Sequence, residues 1–295
     1  MKDNVNITVG PNAGVHDVVF VATQHGSIYA IDGSASSNSG EGVVLWKRSL
    51  LDTPLPGATS ATPVFRTDLG SGYPETSITG TPIIDPATNT LFVVVASRET
   101  VNGEVHFVSR LHALNISDGT ARREPALIGD TVNHGNEVYT NNSPVYVFGT
   151  GDGRDPDGRI RFNALRANQR PALRIFNGVV YAAWASFQDR GPYHGWIVGW
   201  DVNTLEMRGV FNSTPNGGLG GIWQSGGGIS SDGTSLYFET GNGTFDGRNG
   251  NLVEESDTGT VTGLNAAGFP AKGNYGNSVS FRQACQNDVF RRFRW

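Results

Sequence analysis

Six histidines, one cysteine and scattered carboxylates are the residues best suited to chemistry in this 295-residue chain. His106 and His112 come nearest to a pair of metal ligands. Six residues apart on a continuous strand they share a face, but at ~3.3 Å per residue they stand about 20 Å apart. No single ion bridges that. The run Asp152-Gly153-Arg154-Asp155-Pro156-Asp157-Gly158 has the composition of a calcium loop, yet an EF-hand register puts Gly153 and Ala164 at its first and last ligand positions. It reads as a solvated acidic turn. Glu239 and Asp246 are carboxylates that would serve a glycosidase if the fold paired them. The cluster from Gly217 to Gly221 opens no helix, which argues against a dinucleotide site, and neither a nucleophile elbow nor a Walker loop occurs. The lone Cys285 leaves no internal disulfide and no thiolate metal site.

Composition narrows the classes further. Glycine is the most distinctive residue, 40 of 295, about twice the usual ~7% share. With 37% hydrophobic and 10% aromatic residues the chain still has the material for a packed core. A net charge of −5, with no basic run, offers nothing to nucleic acid or to an anionic membrane. The longest purely apolar run, Leu91 to Ala96, is too short to span a bilayer. The opening residues, Met1 to Val5, carry no apolar stretch of the signal-peptide kind.

The elements that must hold these residues are strands. A β-branched or aromatic run, a polar turn and a second run ending in an aliphatic–Asp/Asn step recur along the chain. Val18–Ala22 precedes Ser27–Asp32, Leu91–Val95 precedes Arg110–Asn115, and Val179–Trp184 precedes Trp196–Asp201. A fourth first run, Ser235–Thr240, has no recognisable partner nearby. Asp32, Asn115 and Asp201 are 83 and 86 residues apart, more than the ~40–45 of an ordinary propeller blade. Turn-rich insertions at Asp52–Ser77, Asp130–Asn168 and Thr244–Asn274 account for the excess. Outer strands are expected at Val43–Lys47 and Met207–Phe211, and small inner strands at Thr81–Ile84, Pro171–Ile175 and Trp223–Ile229. The pattern predicts an all-β chain, a β-propeller of four-stranded antiparallel blades with about four blades present, partial or open. The repeats divide near 1–77, 78–168, 169–215 and 216–280, and 281–295 forms an atypical tail.

Ala30-Ile31-Asp32, with Leu45-Trp46-Lys47 after it, resembles the tryptophan-docking repeat of the quinoprotein alcohol dehydrogenase-like propellers. Ala113-Leu114-Asn115-Ile116-Ser117-Asp118-Gly119 is a second copy, with Arg122 and Arg123 where its tryptophan would stand. The resemblance implies that Trp46 wedges between neighbouring blades. A second stretch, Gly220-Gly221-Ile222-Trp223 followed by Thr240-Gly241-Asn242-Gly243, is similar to the dehydrogenases that bind pyrroloquinoline quinone (PQQ). It would place Trp223 under the cofactor ring and Asn242 on a calcium ion, chemistry that a flat indole and an amide oxygen suit. The same residues also suit plain packing and a tight turn. The calcium-binding glutamate of that family maps to Glu99 or Glu104 in one register, and to Asp189 in another. Its vicinal cysteine pair is missing, and its catalytic aspartate falls beyond the end of the resemblance near Ser280.

The expectation is therefore a non-catalytic binding or scaffold module of the PQQ-like repeat kind, taking a protein, glycan or small-molecule ligand and no cofactor. The alternative is a PQQ- and calcium-dependent alcohol or polyol dehydrogenase, or a piece of one. A ligand at the axial mouth would meet Arg170, Trp223, Gln224, Glu239 and Asn242, which combine an aromatic face, a cation, amides and a carboxylate. The resemblance also implies a place outside the cytoplasm.

Overall fold

The computed structural model describes residues 1–33, 42–70, 74–136, 138–224, 226–245, 265–266, 271–276 and 278–283. Asp246, Cys285 and residues 284–295 lie outside them.

Alternating side chains and polar turns make antiparallel sheets here, as the repeats predict. The first sheet runs in chain order through β1 (Lys2–Ile7), β2 (Gly14–Ala22), β3 (Ser27–Asp32) and β4 (Val44–Ser49). After β5 (Ala58–Thr62), a ribbon of β6 (Val64–Phe65) and β7 (Glu75–Thr76) encloses the four-residue α1 (Arg66–Leu69). The second sheet is centred on β9 (Thr90–Val101) and β10 (Glu104–Asn115), then β11 (Ala126–Asn133) and β12 (Tyr139–Asn141). β5 and β8 (Ile83–Asp85) divide the other edge of β9 between them. A ribbon of β13 (Tyr146–Phe148) and β14 (Arg159–Arg161) follows.

The third sheet repeats the divided edge. β15 (Ala167–Asn168) and β16 (Arg174–Phe176) share the edge of β17 (Val179–Ser186), which leads to β18 (Trp196–Asp201) and β19 (Met207–Asn212). The fourth contains β20 (Ser230–Ser231), β21 (Ser235–Glu239) and β22 (Val279–Gln283). Asn102-Gly103 and Asn177-Gly178, all at positive φ, make the two-residue turns that join β9 to β10 and β16 to β17. Those conformations suit the twist of a hairpin, and asparagine and glycine adopt them at least cost.

The sheets pack face against face, with a separate core at each junction. Val18, Ile28 and Trp46 meet Leu91, Val93 and Leu114 between the first and second sheets. Phe92, Val94 and Leu111 meet Val180, Ala182 and Trp184 between the second and third. Tyr181, Ala183 and Ile197 meet Leu236 and Phe238 between the third and fourth. The central strands of the second and third sheets, β9 and β17, thus send alternate residues into two different cores, which is how a radial stack of blades is held together. None of the sheets closes on itself among the described residues.

Three expectations need correction. The fourth first run does have a partner, β22, which pairs with β21 from Glu239–Val279 to Ser235–Gln283 across a long insertion. Asp130–Asn168 is not simply loop: Thr131 and Val132 of β11 are buried, and Asp130 accepts a bond from His106 Nδ1 at 2.7 Å. Trp223–Ile229 forms no strand in its described residues. Gly227 N donates back to the Gln224 carbonyl in a turn, and Gly228 bridges to Ala172.

Candidate functional site

A cavity of about 830 Å³ opens where the β13–β14 ribbon meets the loop leading into β18. Its walls are Tyr139 and Asn141 from β12, Asp152–Pro156 and Arg161 from the ribbon, Asn163 and Ala167, and Arg190–His194 with Trp196. The volume falls within the ~300–1,000 Å³ of small-molecule sites.

Local bonds make one wall rigid. Asp155 accepts from Arg159 N at 2.8 Å and from Arg161 Nε at 2.9 Å, and Arg161 Nη1 reaches the Ser143 carbonyl at 2.8 Å. Burial works to raise the Asp155 carboxyl, but the bonds from Arg159 and Arg161 prevail and hold it below its usual range. Arg159 and Arg161 both lie over the Tyr146 ring, at 5.0 and 5.4 Å from its centroid. His194 ties the ribbon to the opposite wall: its Nε2 donates to the Asp152 carbonyl and its Nδ1 meets Thr214 Oγ1, both at 2.9 Å. Burial pushes this imidazole down, so it is neutral near pH 7. The Tyr193 hydroxyl donates to Asp189 Oδ1 at 2.7 Å, and burial together with that carboxylate raises its pKa.

Other groups on the wall are uncommitted. The side chains of Asp152 and Arg154 are exposed and make no hydrogen bond or ion pair among the described residues. Asn163 is buried, its Oδ1 accepting from the Leu165 and Arg166 amides at 3.1 and 3.2 Å. That leaves its amide nitrogen as a donor with no partner among the described residues. The cavity therefore offers a carboxylate, a guanidinium and an amide donor on a braced frame.

Of the stretches singled out for chemistry in the sequence, only the acidic turn from Asp152 lines this cavity; none of Arg170, Trp223, Gln224, Glu239, Asn242, Asp189 and Glu99 does. Trp223 is half-buried, and its indole lies against the backbone of Gly221 and Gly241, where added Cβ atoms would come within 3.2 and 3.0 Å of Nε1. Gly220 N donates to the Asn242 carbonyl and Gly241 N to the Gly221 carbonyl, so Trp223 and Asn242 belong to one patch. The Asn242 side chain is exposed, as is Glu239 at the end of β21. Gln224 has φ +34°, and its Oε1 is buried with no partner among the described residues. Arg170 is half-buried just before Pro171.

The carboxylates assigned to calcium lie apart from that patch. Glu104 is exposed at the start of β10. Glu99, in β9, is 1% exposed, and both its oxygens are engaged: by Arg110 at 2.5 and 3.2 Å, by Ser97 Oγ at 2.6 Å and by the Leu55 amide at 2.6 Å. Burial works to raise this carboxyl, and the bonds from Arg110, Ser97 and Leu55 together hold it low. Asp189 sits in the turn after β17, bonded to Tyr193 and Ser186, and shares no partner with Glu99. A calcium ion would have to break the Glu99–Arg110 pair and strand a buried guanidinium. No group of three or more His, Cys, Asp or Glu side chains among the described residues is placed to hold a metal. The donor set does not fit the ion.

As a metal loop Asp152–Gly158 gives no sign of the cavity, whose walls meet only in the folded chain. The available signal was the acidic turn followed by Arg159 and Arg161, with Gly191-Pro192-Tyr193-His194 as a second aromatic turn.

No family model matches the chain. Among curated proteins, none matches either. By structure, it is similar to the quinohemoprotein alcohol dehydrogenase of Comamonas testosteroni, at 15% identity and a TM-score of 0.45, over 100% of this chain and 35% of that one. The quinohemoprotein alcohol dehydrogenase ADHIIG of Pseudomonas putida HK5 gives 14% identity and a TM-score of 0.43, over 99% and 36%. The chain spans about a third of the length of each. The all-β architecture stands on the sheets described above.

Proposed function

We propose that this chain is a non-catalytic binding module on a propeller-type stack of sheets, taking a small polar ligand of saccharide size. The observation that carries the reading is the cavity of about 830 Å³ with Asp152, Arg154 and Asn163 presenting uncommitted polar groups. His194 and Tyr193 on its wall are already engaged: His194 has both nitrogens bonded, and Tyr193 is tied to Asp189. A general acid or base needs a proton it can exchange near neutral pH, and these side chains are held away from that. Titration with monosaccharides and disaccharides, followed by a thermal-shift assay, tests the reading. A saturable shift that Asp152→Asn and Arg154→Ala each abolish is expected; a shift that both variants leave intact overturns this site.

A second reading, PQQ- and calcium-dependent alcohol oxidation, is favoured by one patch, the Trp223 indole beside Gly241 and Asn242. Adding PQQ and calcium chloride to the purified chain separates the two. Cofactor absorbance with alcohol-dependent dye reduction would establish the second reading and displace the first. A location outside the cytoplasm belongs with these proposals and rests on the repeat resemblance; no helix among the described residues is long and apolar enough to cross a membrane.

A further inference from the structure

The three hairpins can be placed in one register through Asp32, Asn115 and Asp201, which pair with Val18, Thr90 and Val179. Val19, Leu91 and Val180 then share a position, as do Phe20, Phe92 and Tyr181, and next Val21, Val93 and Ala182. Leu91 and Val93 face the first sheet, and Val180 and Ala182 face the second. All four are at most 1% exposed. These positions point at the preceding sheet in each repeat. In the first sheet, no described element covers them. Val21 is 38% exposed, Val44 49% and Val15 66% on that face, while Val19, Tyr29 and Ile31 are half-covered.

The aromatic position points the other way. Phe20 packs toward the second sheet, Phe92 toward the third and Tyr181 toward the fourth. In the fourth sheet Leu236 and Phe238 face the third, which gives Tyr237 the aromatic position on the far face. The first and fourth sheets thus present the two halves of the junction used three times between the sheets described. One exposed charge on each face is opposite in sign. Lys47, opposite Tyr29 on the open face, is exposed, and Glu239 is exposed on the face of Tyr237.

We propose that the open face of the first sheet is covered by the fourth sheet of a second copy of this chain. Two copies related by a two-fold axis cover both ends at once, so the assembly closes as a dimer and does not grow. The occupant is a sheet of the same repeat because that is what covers every equivalent position within the chain. Sheets with apolar faces pack about 10 Å apart in this manner.

Sedimentation velocity on the full 295-residue chain tests this. The expected particle has twice the 31.5 kDa mass of one chain. Val21→Lys, and separately Val44→Lys, should yield monomers with an unchanged far-ultraviolet circular dichroism spectrum, because both side chains are solvent-exposed in the single copy. Lys47→Glu should weaken the dimer about tenfold, a charge-pair effect of ~1.4 kcal/mol, and Glu239→Lys added to it should restore assembly. That charge swap decides the matter if the valine variants fold poorly. A monomer at every concentration would overturn the proposal and give the face to a sheet from elsewhere, in a longer chain or another protein. So would an oligomer that Val21→Lys and Lys47→Glu both leave unchanged.

Discussion

The indole Nε1 of Trp46, on the outer strand of the first sheet, donates to the Ile116 carbonyl of the second sheet at 3.0 Å. The ring lies over Gly119, where an added Cβ would come within 2.8 Å of it. Gly119 also has φ +72°, so glycine is required there twice over. Trp46 is 6% exposed and pins the two sheets together. Trp46→Ala should destabilise the protein by ~3–5 kcal/mol, mostly through lost packing. Trp46→Phe should cost about 1 kcal/mol more than its volume change, for the missing bond. Urea melts of both variants check this; a cost under ~0.5 kcal/mol for the alanine variant would mark a surface site.

Glu99 and Arg110 form a buried ion pair, and removing one partner strands the other. Glu99→Gln or Arg110→Met alone should cost ~3–5 kcal/mol. The double variant should be less damaging than the two costs added, because neither charge is then left unpaired. A double-mutant cycle by chemical denaturation measures it, and simple additivity would contradict the pairing.

Burial, aided by the charges of Arg110 and Arg48, pushes the His112 imidazole down to about 3. In the unfolded chain it titrates near ~6.5, so below that pH the unfolded state binds the extra proton. Stability should therefore fall as pH drops from ~6.5, by up to about 1.4 kcal/mol per unit. His194, also buried and shifted down, acts in the same direction. Glu99 adds its own loss only nearer ~4.3, where the unfolded carboxyl begins to protonate. In thermal melts from pH 6.5 to about 5, His112→Gln should flatten part of the slope; identical slopes would count against a buried neutral His112.

Deleting residues 130–141 tests the role of the second sheet's outer half. The deletion removes half of β11, including the buried Thr131 and Val132, and all of β12. Circular dichroism should show lost strand content and a cooperative melt many degrees lower. A spectrum and melt like those of the full chain would mean that this stretch is dispensable loop.

Much of the fold was legible because it is local. Val18–Ala22, Leu91–Val95 and Val179–Trp184 are short continuous hydrophobic runs, and their hairpin partners follow within the same repeat. β22 was hidden because its partner β21 lies a whole insertion upstream, where no local pattern marks the pairing. β11 was hidden by its own chemistry, since Asp130 and Thr131 are polar yet buried, satisfied by His106 and by the amide of Ala164. The same physics kept the cavity out of sight. Its walls come from residues 139–167 and 190–196, and only tertiary bonds such as His194 to the Asp152 carbonyl bring them together. The Trp223–Asn242 patch, in contrast, was legible from two glycine-flanked motifs, because its backbone bonds join adjacent segments.

The most direct test of a binding module is to see where small polar molecules settle. Crystals of the full chain soaked separately in glucose, galacturonate and glycerol would show this. Density is expected in the cavity of about 830 Å³, within hydrogen-bond reach of Asp152, Arg154 and the Asn163 amide. Density stacked on Trp223 beside Asn242, with the cavity empty in every soak, would contradict it.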